Sequence, residues 1–274
     1  MTRRAPSSLI ALDVDGTIID LYERMTDRVR DAVRAVADAG HEVVIATGRS
    51  LHSALPVLDR LGLTTGYAVV SNGAVTLRLD PDSEHGYEVV DVVTFDPTPA
   101  LELLREHLPS AAYAVEELDS GIRLFGPFPD GELAGEITVV PFEELLGRPA
   151  TRVVVRSTDH TPEEFLELVE RIGLHGVNYA VGWTAWLDLA PEGVSKASAL
   201  EQVRRWVGVP RGATLAVGDG RNDLEMLQWA ARSVAMGQAP EEVKEVADEV
   251  TGPVTDDGLA DVLDSLVTEQ RAAG

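Results

Sequence analysis

The stretch that most constrains the fold is Leu9-Ile10-Ala11-Leu12-Asp13-Val14-Asp15-Gly16-Thr17. Four apolar residues run without interruption into two carboxylates and then a glycine. An apolar run of this kind, closed by a turn signal, reads as a strand buried on both faces, as in a parallel sheet. The carboxylates therefore stand where the strand leaves the core, and open α/β sheets bind ligands beyond the carboxyl ends of their strands. Asp13 and Asp15 are two residues apart, so in extended backbone they point to one side. Like charges held this close oppose each other's ionisation unless a cation lies between them. A hard divalent cation with oxygen ligands suits such a pair. The plain alternative is a turn, because Asp-Gly often does no more than reverse the chain. An EF-hand loop is excluded, since the twelfth residue counted from Asp13 is Arg24 where a Glu is required.

The opening pattern recurs. Thr26 is placed to cap a helix carrying Val29, Ala32, Val33, Val36 and Ala37 on one face, closed by Gly40. Glu42 to Ala46 forms a second strand that ends in Thr47-Gly48-Arg49. Ser50 opens a helix through Leu51, Leu55, Leu58 and Leu61, with a kink expected at Pro56. Tyr67 to Val70 is a third strand, ending in Ser71-Asn72-Gly73. Strands alternating with helices predict a doubly wound parallel sheet. From Val75 the period changes to two and a hairpin is expected, its strands at Val75 to Leu79 and Tyr87 to Thr94. Short strands and two helices, near 99–107 and 161–172, then follow to about Leu189. This stretch reads as a smaller α+β domain, residues 81–189, inserted into a core made of residues 1–80 and 190–274. The core resumes with a helix after Gly193-Val194-Ser195-Lys196. An apolar strand, Thr214 to Val217, then ends in Gly218-Asp219-Gly220-Arg221-Asn222-Asp223.

Composition narrows the function. Of 274 residues, 45% are hydrophobic and 25% charged, the balance of a globular protein. With no cysteine there is no disulfide, thiolate ligand or thiol nucleophile. The basic Met1-Thr2-Arg3-Arg4 is followed by too short an apolar run for a signal peptide or a spanning helix, so a cytoplasmic location is expected. The net charge of −23 argues against nucleic acid and against anionic membranes as partners. An anionic small substrate would need local cations, a metal or a few placed Arg and Lys. Lysine is scarce, only Lys196 and Lys244.

Four polar clusters thus end an apolar strand or open a helix of the core: Asp13/Asp15, Thr47-Gly48-Arg49, Lys196, and Asp219 to Asp223. In a parallel sheet such ends lie along one edge, so residues remote in sequence can share a pocket. In this order the clusters resemble the motifs of the haloacid dehalogenase-like superfamily of phosphatases. Ser71-Asn72-Gly73-Ala74, Gly193-Val194-Ser195-Lys196 and Ala235-Met236-Gly237 look like its Cof-type branch, in which an α/β cap is inserted between the second and third motifs. Gln238 departs from that pattern, which has Asn there.

The resemblance implies a Rossmann-like core with an inserted cap, and a Mg²⁺-dependent phosphatase acting on a small phosphorylated metabolite such as a sugar phosphate or phosphorylated cofactor. It makes Asp13 the nucleophile that forms an aspartyl-phosphate and Asp15 the acid, then base. The residues agree: an ionised carboxylate can attack phosphorus, and a second carboxyl within reach can pass a proton back and forth. Thr47 and Lys196 would hold the transferring phosphoryl, and Gly48, Arg49, Asn72, Gly73 and Asn222 are expected at the substrate. Asp13, Asp15 (through its backbone carbonyl), Asp219 and Asp223 are the expected metal ligands. In the cap, Arg123, Arg152, Arg156, His160, Trp183 and Trp186 are candidate substrate contacts. A phosphomutase or phosphotransferase using the same intermediate, or a non-catalytic phospho-ligand-binding protein, are the alternatives. A monomer or homodimer is expected.

Overall fold

The computed structural model describes residues 7–118, 121–129, 133, 136–182 and 184–273. In chain order the elements are β1 (Leu9–Leu12), α1 (Asp27–Asp38), β2 (Glu42–Ala46), α2 (Leu51–Leu61), β3 (Gly66–Val70), β4 (Val75–Leu79) and β5 (Tyr87–Val92). Then come α3 (Thr98–His107), β6 (Ala112–Glu117), β7 (Gly121–Phe125), β8 (Ile137–Val139), β9 (Arg152–Arg156), α4 (Pro162–Ile172), β10 (Val177–Val181) and β11 (Trp186–Pro191). The chain closes with α5 (Lys196–Val207), β12 (Thr214–Gly218), α6 (Leu224–Trp229), β13 (Arg232–Ala235), α7 (Glu241–Val246), β14 (Glu249–Val250) and α8 (Gly258–Ala273).

Two sheets result. The larger has the order β14-β13-β12-β1-β2-β3-β4-β5. Its pairs are parallel from β14 to β3 and antiparallel beyond. The apolar runs are explained by burial on both faces. Ile10 and Leu12 of β1 pack under α1, α2 and α8, while Leu9 and Ala11 pack under α5, α6 and α7. The helix starts carry the expected caps: Thr26 accepts the Val29 N–H, and Ser195 accepts the Ser198 N–H. Pro56 does not break α2, which continues to Leu61 and ends on Gly62 in the left-handed conformation.

The expected hairpin forms, but its second strand stays with the large sheet: Leu79 faces Tyr87 across the turn. That sheet therefore runs to Val92, past the boundary expected at residue 80, because Asp80 to Gly86 is a hairpin connection and not a linker. The second sheet, β10-β11-β9-β6-β7-β8, is antiparallel except between β7 and β8. Its strands alternate. Val153, Val155, Leu187, Leu189, Tyr113 and Val115 pack on α3 and α4 through Leu101, Leu104, Phe165 and Val169. The residues between them, Arg152, Val154, Trp186, Asp188, Ala114 and Ile122, fall on the other face. No helix of the described residues is long and apolar enough to cross a membrane.

Candidate active site

β1 and β12 are adjacent and parallel, with Leu12 opposite Val217. After β1 the sheet is extended towards β2 and β3, and after β12 in the opposite direction towards β13 and β14. The crevice beyond their carboxyl ends is the topological switch point, the position at which such sheets bind ligands. Asp13 follows β1 directly, its N–H donating to the Val217 carbonyl at 3.0 Å. Asp219 follows β12 directly.

Lys196, the first residue of α5, is buried to 1% exposure among these acids. Its Nζ donates to Asp13 Oδ1 at 2.6 Å and to Asp223 Oδ1 at 2.7 Å. The other oxygen of Asp223 accepts the N–H groups of Asp219 and Gly220 at 3.0 and 2.9 Å. One oxygen from each of Asp13, Asp219 and Asp223 lies within 4.8 Å of the others. Burial, with help from Asp223, pushes the Asp13 carboxyl well up, although Lys196 pulls the other way. Burial, then Asp223, push Asp219 up to about 7. Burial alone would lower the Lys196 ammonium, but Asp13 and Asp223 more than offset it and hold it above its ordinary value. Three buried carboxylates face one ammonium, a set short of positive charge.

This donor set fits a hard cation. Asp223 already accepts three donors, from Lys196 and two backbone N–H groups, so Asp13 and Asp219 keep more of their acceptor positions open for one. The turn after β1 is built against Asp219. Gly16 has φ +81°, and a Cβ there would lie 2.0 Å from Asp219 Oδ2, so only glycine lets the backbone approach. Gln238 closes the arrangement: its Nε2 donates to the Gly16 carbonyl at 2.6 Å and to Asp219 Oδ2 at 3.1 Å, while its Oε1 accepts the Val254 N–H.

The other expected residues surround this centre. The Asp15 carboxylate is half exposed and stands outside the buried group, held by Arg49, whose Nη2 donates at 2.7 Å and Nε at 3.0 Å. Arg49 also binds Glu23 at 2.9 Å. Thr47 is fully buried and its Oγ1 accepts the Arg49 N–H at 3.0 Å. Asn72 Oδ1 accepts from Asn222 Nδ2 at 3.0 Å, which ties the end of β3 to the turn after β12. Gly73, at φ +102°, lies against the start of α5, where a Cβ would come 2.2 Å from the Ser195 carbonyl.

A cavity of about 470 Å³ opens above Asp13, Asp15, Gly48, Arg49, Asp219 and Asn222. Its far wall comes from the second sheet: Ile122, Arg152, Val181, Trp186 and Asp188. Of the expected cap contacts, Arg152 and Trp186 therefore reach the cavity. Arg123 lies against Glu117, Arg156 donates to the Ser157 carbonyl, and His160 pairs with the Ser157 hydroxyl; none of the three lines it. Trp183 lies outside the described residues. The sequence marks Gln238 only as a departure from the family pattern, with no role, and does not single out Asp188. Gln238 sits just past β13 on the same sheet edge as the other clusters, and Asp188 shares a strand face with Trp186; both signals depend on knowing the strands.

A family model described as haloacid dehalogenase-like hydrolase matches residues 10–114 and 130–263, spanning every cluster of the cavity floor. The chain belongs to this family. A curated relative, the 5-amino-6-(5-phospho-D-ribitylamino)uracil phosphatase of Bacillus subtilis, is 27% identical over 261 residues, covering 92% of this chain and 94% of its own. A solved haloalkanoate dehalogenase superfamily phosphatase from Bacteroides thetaiotaomicron is 27% identical with a TM-score of 0.75, covering 95% of each chain. The fold also matches a subclass IIB sugar phosphatase at a TM-score of 0.79 and 24% identity, covering 94% of this chain and 98% of that one. These likenesses make the chain an enzyme among the phosphatases of the haloacid dehalogenase-like family.

Proposed function

We propose that the protein is a Mg²⁺-dependent phosphatase that hydrolyses a small phosphorylated metabolite through an aspartyl-phosphate on Asp13. The observation that carries the reading is the buried Lys196 ammonium, bonded at once to Asp13 and Asp223 beside Asp219. Asp13 Oδ attacks phosphorus as the bond to the leaving oxygen breaks, and the Asp15 carboxyl gives that oxygen its proton. Asp15 then takes a proton from water, the water oxygen attacks the same phosphorus, and the bond to Asp13 breaks. Lys196 holds the Asp13 carboxylate in place, opposes the burial that favours its neutral form, and places positive charge where phosphoryl oxygens will lie. Thr47 and the Asn72–Asn222 pair shape the floor around that group. Arg49 fixes the direction of Asp15 and must release one of its oxygens for proton transfer.

Asp13, Asp219 and the Asp15 backbone carbonyl would hold Mg²⁺, with Asp223 orienting Lys196 and the Asp219 turn. Bound there, Mg²⁺ supplies charge neutralisation for a transferring phosphoryl group. One relative is named for a phosphorylated ribitylaminouracil and one structural neighbour as a sugar phosphatase, which supports a small phosphorylated organic substrate. Turnover of p-nitrophenyl phosphate tests the reading. Hydrolysis is expected with Mg²⁺, to stop on adding EDTA and to return with excess Mg²⁺. No hydrolysis under any of these conditions contradicts the phosphatase, and hydrolysis indifferent to EDTA contradicts the metal.

A further inference from the structure

We propose that the cap selects a leaving group that carries hydrogen-bond donors and no second anion, and that Asp188 is the residue that reads it. The inference rests on the phosphatase reading and adds the charge class of the substrate.

Among the described residues three arginines line the cavity, and each is already opposed. Arg49 is bonded to Asp15 and Glu23, Arg221 to Glu242, and Arg152 to Asp188, with Glu116 at 3.8 Å. Lys196 on the floor is divided between Asp13 and Asp223. Phosphate itself is provided for on the floor; a second phosphate or a carboxylate elsewhere on the substrate would find no unopposed cation among the described lining residues.

What such a group would find is Asp188. Its Oδ1 accepts Arg152 Nε at 2.6 Å and its Oδ2 accepts Trp186 Nε1 at 3.0 Å. Two donors fix the carboxylate without using up its roughly four acceptor positions, so it can take hydroxyl, amide or ammonium donors from a ligand. The Arg152 guanidinium also lies against the Trp186 ring, 5.9 Å from its centre, which further sets the wall. Beside it Ile122 and Val181 present apolar surface. A donor-rich, neutral leaving group is matched by this wall, whereas an anionic one meets like charge, the repulsive element by which sites discriminate.

The test compares kcat/KM for open-chain substrates differing in whether one terminal carbon is a hydroxymethyl or a carboxylate: glucitol 6-phosphate against 6-phosphogluconate, and glycerol 3-phosphate against 3-phosphoglycerate, with the full chain and Mg²⁺. The neutral member of each pair should be favoured at least tenfold, chiefly through KM. In Asp188→Asn the ratio should fall to about one or invert, and in Asp188→Glu it should persist. Trp186→Phe, which keeps the charge and removes one of the two donors to it, should reduce the ratio severalfold and covers the case in which Asp188→Asn does not fold. Equal use of both members, preference for the anionic one, or a ratio unmoved by these variants overturns the proposal. Absence of p-nitrophenyl phosphate turnover by the wild type overturns the phosphatase reading beneath it, whereas turnover without charge preference overturns this inference alone.

Discussion

The floor and the far wall of the cavity are built by different rules. On the floor, Asp13, Lys196 and Asp219 come from distant stretches and meet because parallel strands end along one edge. On the wall, Arg152, Trp186 and Asp188 meet because alternate residues of the antiparallel neighbours β9 and β11 share a face. The floor concentrates buried negative charge that a cation must balance. The wall pairs its arginine with Asp188, which leaves no cation free for an anion among the described lining residues and keeps the remaining acceptor positions of a carboxylate for hydrogen bonds. One region is suited to chemistry common to many phosphate esters, the other to choosing among them.

Breaking the floor should cost most. Asp13→Asn removes the charge of the proposed attacking oxygen while keeping its size, and kcat should fall by about 10⁴-fold or more, measured with p-nitrophenyl phosphate. Gly16→Ala forces a methyl onto the Asp219 carboxylate in a backbone conformation that L side chains rarely adopt. Activity should drop by about 100-fold as the Mg²⁺ concentration for half-activation rises, since sub-ångström placement governs such sites. Gln238→Ala leaves the ligands in place but frees Asp219 and the Gly16 carbonyl, and half-activation by Mg²⁺ should shift about tenfold. Charge substitutions on the wall should be smaller in kcat and visible in KM, the reverse of the floor.

A further contrast lies in pH. Asp219 is held up to about 7 against an ordinary value of 3.8, so between those values the folded chain keeps a proton that the unfolded chain has lost. Without divalent cation, stability should therefore decline as pH rises from 5 to 7.5. On the proposed reading Mg²⁺ takes the ionised form and should stabilise more at pH 7.5 than at pH 5. Chemical denaturation in EDTA and in Mg²⁺ at the two pH values measures this. Stability that rises with pH in EDTA would show that the floor carboxylates are not short of a cation.

The two rules also explain what could be read from the sequence. The floor was legible because each of its clusters ends an apolar run, and the sequence order of runs and helices is enough to put those ends on one edge. Gln238 stood out only as a departure from the family pattern; its role was hidden because its amide acts on the Gly16 carbonyl at a sequence separation of 222. The wall was only partly legible. Arg152 and Trp186 stand out as residue types, but Asp188 gains meaning only from the β9–β11 pairing. The hairpin at 75–92 was recognised as a hairpin, yet which sheet receives it depends on β4 lying beside β3, a pairing that no local pattern encodes. β14, two residues at the sheet edge, is too short to leave a periodic signal.

The claim on which the account turns is that the phosphoryl group rests on Asp13 before it reaches water. The stereochemical course at an isotopically chiral phosphorothioate ester, hydrolysed in isotopically labelled water, tests this directly. Two successive displacements, first by Asp13 and then by water, predict inorganic thiophosphate with retained configuration at phosphorus. Inversion would mean that water attacks the ester in one step and that Asp13 is not the nucleophile.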